Sequence, residues 1–307
     1  MFHKYSSAII AGFLTTLISG WAHAEALKPF ILGDTPPGDL KQVADAVKLK
    51  VTAAGFEIVG SYSPFAGATV ICVTNNELKT AAAKAFNGGF GAAQRVAVTD
   101  VKGKIQVSYV NPAYTGTAYG LGKLEGVSAK MKAALGAVKS FGSENGIEEE
   151  RLGPGQYRYA MFMPYFKDVD FFKEHLDYKT AVDTVEKNLA AGVGGTKKVY
   201  RIDLPGKQIS VFGVSIPKGD GIDKGNKDTD KEIIDIVDYQ DLKHTAYLPY
   251  ELMVDGGRVI ALRARYRIAL NFPDTKMAGS NGFTKIMTAP WGIQVALEAV
   301  AGFKREM

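Results

Sequence analysis

The sequence predicts an α+β fold: two tandem two-layer sandwiches, each a mostly antiparallel sheet with helices on one face. Three observations predict it. Strand and helix signals run in the same order twice along the chain. Two long hairpin patterns turn on glycine, at Lys102-Gly103 and at Gly256-Gly257. Residues 39–47 (DLKQVADAV) are mirrored by residues 177–185 (DYKTAVDTV). The 307 residues, 46% apolar and 22% charged, suffice for two ordinary domains. They exclude a disordered tail protein, a collagen-like repeat and a multi-span membrane protein.

In the first unit a strand is expected at 29–32. Leu40, Val43, Ala44, Val47 and Val51 then recur at helical spacing behind Asp39, and Gly55 closes the helix. Residues 56–62 and 69–73 read as strands separated by Pro64 and Gly67. Thr74 and Glu77 have capping-box spacing and open an alanine-rich helix to Phe86. A hairpin follows over 95–101 and 104–110, then an amphipathic helix through Leu124, Val127, Met131, Leu135 and Val138. The second unit repeats this order. Residues 157–163 read as a strand, a helix starts at Asp177, and strands follow at 198–204 and 208–216. A capping box at Thr229 and Glu232 opens a helix over 233–239. The hairpin spans 247–254 and 258–270, and a last helix runs from Pro290 to about Phe303.

The units are thus expected at 27–141 and 157–305, with the Gly- and Glu-rich tract 142–156 as linker. Helices on one sheet face leave the other bare. A bare face must be solvated, paired with its twin or used for binding. An intramolecular pseudo-dimer, or a homodimer through the sheet faces, is the expected consequence.

Residues 1–24 read as a cleaved signal peptide. His3 and Lys4 give a basic start, an apolar run follows from Ala8 to Trp21, and Ala22-His23-Ala24 supplies a small-x-small cleavage site. The run is shorter than the ~20 residues a spanning helix needs. Export to a bacterial periplasm, with no membrane span after cleavage, is the expectation. Basic and acidic residues nearly balance within each half, 13 against 12 over residues 25–150 and 23 against 20 beyond, without the one-sided field of a nucleic-acid binder. Cys72 is the only cysteine, so no intramolecular disulfide can form. Its place in a β-branched run reads as a small buried hydrophobe, with a reactive or intermolecular thiol as the other option.

The runs AAGFEIVGSY (53–62), VTNN (73–76), RVAV (95–98) and GKIQV (103–107) resemble domain-of-unknown-function family 302 (DUF302). The resemblance covers residues 30–138 directly, and the second half only through the duplication. It implies a small β-α-β-β-α-β-β sandwich that associates through its sheets, and it implies no reaction. A second, longer unit departs from the single-unit pattern, and that second unit is able to occupy a partner's place.

Motifs for catalysis or metal are missing. His175 and His244 form no zinc signature, and the sequence implies no metal and no cofactor. Met161 and Met163, with Met253, raise copper(I) through thioether chemistry, but methionines at period two in a strand read as core. The acids Asp220, Asp223, Asp228, Asp230 and Glu232 match no EF-hand register and alternate with lysines, as in a solvated loop. Ser215 and Lys218 match S-x-x-K without its companion motifs, and the glycines at 88–91 and 192–195 fit no phosphate-binding template.

Two constellations remain. Tyr109, Asn111, Tyr114 and Tyr119 cluster after the first hairpin, suited to a pocket, to an interface, or to packing the last helix on the sheet. Arg263, Arg265 and Arg267 alternate along an expected strand and so share one face. Such a row awaits an anion or acidic partner, unless it is a solvated edge or pairs with the acidic loop. The expected function is a non-enzymatic exported binding or interaction protein, for a small molecule or an acidic protein partner. The alternative is an enzyme acting on a small anionic substrate between the two repeats.

Overall fold

The structure is a computed structural model that describes residues 26–218 and 229–304. The first unit runs β1 (Phe30–Leu32), α1 (Leu40–Ala53), β2 (Glu57–Tyr62), β3 (Ala68–Thr74), α2 (Asn76–Lys84), β4 (Gln94–Val101), β5 (Lys104–Val110), α3 (Pro112–Ala118), α4 (Glu125–Leu135) and β6 (Lys139–Phe141). After α5 (Glu149–Leu152), the second runs β7 (Val169–Glu174), α6 (Tyr178–Ala190), β8 (Lys197–Asp203), β9 (Ile209–Ser215), α7 (Asp230–Val237), β10 (Tyr250–Asp255), β11 (Arg258–Leu262), α8 (Ala264–Asn271) and α9 (Ala289–Val300). Among the described residues, no helix is long and apolar enough to cross a membrane.

Local chemistry accounts for the elements. Asp39 accepts from the Gln42 N–H while the Gln42 side chain accepts from the Asp39 N–H, a full capping box for α1. Asp177 caps α6 by accepting from the Thr180 N–H at 2.7 Å. Each helix buries one aliphatic stripe, Val43, Ala44, Val47 and Val51 in α1, and Ala181, Val182, Val185 and Leu189 in α6. Lys102-Gly103 and Gly256-Gly257 close the two hairpins as expected.

The duplication is visible in the strand order. One antiparallel sheet runs β2-β3-β4-β5-β1-β6 and the other β8-β9-β10-β11-β7, the same order with β6 added at one edge. Even the irregularities recur: a bulge between Ile58 and Gly60 on β2 matches one between Lys198 and Tyr200 on β8.

Side chains alternate in the first sheet. Ile71, Val73, Val96, Val98, Val107 and Tyr109 pack under α1 and α4. Val70, Cys72, Ala97 and Val110 point the other way, into a core shared with the second unit. The bare faces therefore cover each other, giving helices outside and two sheets inside. Contacts are reciprocal: the turn Thr245–Tyr247 packs on β4 and β5, and Gly88–Gly91 packs on β9 and β10. Polar groups cross the joint as well, with Thr99 on Thr245 at 3.0 Å and Gln106 exchanging two hydrogen bonds with the Lys243 backbone.

Several expectations are corrected. The strand expected over 258–270 stops at Leu262, and α8 follows. Helix α8 is buried on nearly every side, so it has no polar stripe and shows no helical period. Residues 157–163 form no strand. Tyr157 donates to the Ala269 carbonyl at 2.9 Å and Tyr159 to the Thr275 carbonyl at 2.6 Å, making this segment a strap over α8. The α2 cap is Asn75, accepting from the Leu78 N–H, because Thr74 ends β3 and donates to the Ala92 carbonyl. The tract 142–156 is packed rather than a free spacer: Leu152 is fully buried and Ser143 donates to Asp274 at 2.9 Å. The signal segment, and the acidic loop at Asp220, Asp223 and Asp228, lie outside the described residues.

Candidate ligand groove

The tyrosine constellation is structural. Tyr109 is buried beneath α1 and α4 and donates to the Gly136 carbonyl at 2.8 Å. Asn111 caps α3, accepting from the Ala113 N–H and donating to the Lys28 carbonyl at 2.9 Å. Tyr114 donates to the Leu270 carbonyl at 2.7 Å, tying the units together. Tyr119 is buried and stacks on Phe166, ring centres 4.8 Å apart. None of the four is open to a ligand from solvent.

Arg267 does not share a face with Arg263 and Arg265. On a helix, residues two apart point to nearly opposite sides. Arg267, 1% exposed, turns into the joint between the units. It donates to Glu251 at 2.8 Å and to the carbonyls of Tyr247 and Pro249, and lies over the rings of Tyr247 and Tyr250. Arg95 from β4 reaches the other oxygen of Glu251, so one buried carboxylate holds two buried guanidiniums. Arg263 is half exposed and 3.3 Å from Asp170. Burial raises the Asp170 pKa, Arg263 opposes this and Glu298 adds to it. Arg265 is exposed and has no hydrogen-bond or ion-pair partner among the described residues.

Arg265 stands where two grooves meet. The first, of about 320 Å³, is lined by Tyr159, Met161, Met163, Met277, Phe283 and Met287 with Ile268 and Ile286 beneath. Four of the chain's eight methionines are therefore gathered at one place. The second, about 330 Å³ and mainly polar, is lined by Asp170, Arg263, Trp291 and Gln294 with Phe162 and Pro164 at its side. Both grooves share Arg265 and Pro290. Helices α8 and α9 begin here, and neither N-terminus is capped by a side chain. Their first N–H groups add positive potential to that of Arg265. Phe162 is 92% exposed and has a φ of +67°, a left-handed backbone that a bulky side chain adopts only at a cost of about 1–2 kcal/mol.

The residues the sequence reading missed are Tyr159, Met277, Phe283, Met287 and Trp291. Their segments are irregular and Gly/Pro-punctuated, so no periodicity marks them. The available signal was the density of large apolar residues in turn-rich sequence.

Two other arrangements were candidates for chemistry. Asp238 and His244 are hydrogen-bonded at 2.6 Å, both buried. The imidazole is enclosed by Phe30, Phe141 and Phe272, and no hydroxyl or thiol is hydrogen-bonded to it among the described residues. This pair anchors the loop before β10 rather than forming a nucleophile–base set. Cys72 is fully buried, and burial pushes its thiol up to about 12, as expected for an inert core position. Among the described residues, no group of three or more His, Cys, Asp or Glu side chains is placed to hold a metal ion. Comparison with known protein families, with curated proteins and with solved structures finds no match to this chain.

Proposed function

We propose that the chain is an exported, non-enzymatic binding protein, and that it holds its ligand in the paired grooves on either side of Arg265. The observation that carries this reading is Arg265 itself. It is a permanently charged, exposed side chain without a carboxylate partner among the described residues, at the mouth of an apolar groove. The joint between the units serves cohesion: Thr99 on Thr245, Tyr114 on the Leu270 carbonyl and the Arg95–Glu251–Arg267 cluster tie one repeat to the other. The shared strand order supports reading the two units as repeats of one architecture, and their likeness to family 302 rests on the sequence runs at 53–62, 73–76, 95–98 and 103–107. Export rests on the segment before Glu25, and N-terminal sequencing of protein recovered from a bacterial periplasm should begin there.

The test is ligand retention. Protein purified from its native compartment is examined by native mass spectrometry beside Arg265→Ala. The expected result is a small molecule carried by the first and lost from the second. Retention that survives Arg265→Ala, or conversion of the retained molecule during incubation, would overturn the reading.

A further inference from the structure

Resting on the groove reading above, we infer that the ligand is an acyl monoanion: an unbranched chain of medium length, lying along the methionine groove with its carboxylate on Arg265. Three features define this class. The groove, of about 320 Å³ and open to solvent along one side, has room for an aliphatic chain of medium length. Its walls are thioethers and aromatic rings, and flexible, polarizable methionines conform to an irregular apolar chain. Among the described residues, the only cations lining the two grooves are Arg263 and Arg265, and Arg263 is already paired with Asp170. One uncompensated guanidinium balances one negative charge, and its fork matches the two oxygens of a carboxylate.

The same charge pattern decides against a cationic occupant. Clustered thioethers suit copper(I). However, a cation in this groove would face Arg265 and the uncapped starts of α8 and α9, and among the described residues no acidic side chain lines the apolar groove. Phe162 and Trp291 flank the junction, placing apolar surface beside the head group as well as along the tail.

Methyl-¹³C methionine NMR on the full chain tests this. Met161, Met163, Met277 and Met287 line the groove, while Met131 and Met253 are buried elsewhere and serve as internal controls. Assignments come from single Met→Leu variants. The chain is titrated with decanoate, decan-1-ol and decylamine. The expected result is that decanoate shifts the four groove methyls, leaves Met131 and Met253 in place, and binds at least tenfold more tightly than decanol. In Arg265→Ala decanoate should fall to the affinity of decanol, and Arg265→Lys should recover part of the loss. Equal binding of decanoate and decanol in both proteins, or tighter binding of decylamine, would overturn the acyl-anion class while leaving the groove as a binding site. Groove methyls that respond to none of the three probes would overturn both.

Discussion

Arg95 and Glu251 occupy equivalent positions of the two repeats and pair with each other. In the first sheet Arg95 stands opposite Cys72; in the second Glu251 stands opposite Gly213, and the matching bulges fix this correspondence. The two side chains are 2% and 3% exposed and meet at the centre of the joint. In a dimer of identical units, a residue near the two-fold axis faces its own copy, and Arg against Arg would repel. A duplicated chain escapes that constraint by carrying opposite charges at the two sites.

Removing Glu251 should therefore cost far more than removing Arg95. Glu251→Gln strands two buried guanidiniums and should lower stability by about 3–5 kcal/mol. Arg95→Met leaves Glu251 paired with Arg267 and should cost less than half as much. Urea unfolding of the two variants measures this, and equal losses would contradict the shared-carboxylate arrangement.

Gly60 and Tyr200 are the next equivalent pair, and they too come together. A Cβ on Gly60 would run into the Val199 carbonyl and press on Tyr200. Because the obstacle is backbone, Gly60→Ala should destabilise by about 1–3 kcal/mol. Gly155→Ala meets nothing within 4 Å and should be close to neutral in the same melt.

Asp230 links the joint to pH. Its buried carboxylate accepts from the Ile216 N–H at 3.1 Å and from Tyr62 of the other unit at 3.3 Å, with Arg267 nearby. Burial raises its pKa from 3.8 to about 7, with those three groups opposing the rise. The fold thus favours the protonated form. That stabilisation is complete below about pH 4, and it is lost as pH rises through about 7. Relative to Asp230→Asn, the parent protein should lose up to ~4 kcal/mol between those limits. Chemical denaturation across the range checks the slope, and parallel profiles for the two proteins would refute it.

Cys72 should behave as an inert core residue. With the thiol pushed up to about 12 by burial, a thiol reagent at pH 8 should label the native protein only as fast as it unfolds. Fast labelling without denaturant would place Cys72 nearer the surface.

What was legible in the sequence was local. Asp39 and Asp177 as caps, and the glycine turns of both hairpins, depend on neighbours within a few residues. The bare sheet faces were legible too, because strand alternation exposes them. Arg267 was misread because period two along 263–267 suits a strand, whereas helix α8 is packed all round and carries no polar stripe to identify it. The pairing of Arg95 with Glu251 spans 156 residues and needs the docked sheets to exist. The groove at Arg265 joins the strap containing Met161 to the irregular segment containing Met277 and Met287, a juxtaposition that no local pattern encodes.

The central claim is that a ligand lies in the groove at Arg265, and photo-crosslinking tests it most directly. A decanoate analogue carrying a diazirine at its tail is irradiated with the full chain, and the labelled peptides are mapped. The account predicts adducts on the strap around Met161 and Met163 and on the segment from Met277 to Met287, competed away by decanoate and lost in Arg265→Ala. Labels concentrated at the joint between the repeats, or spread over the surface and indifferent to Arg265→Ala, would contradict it.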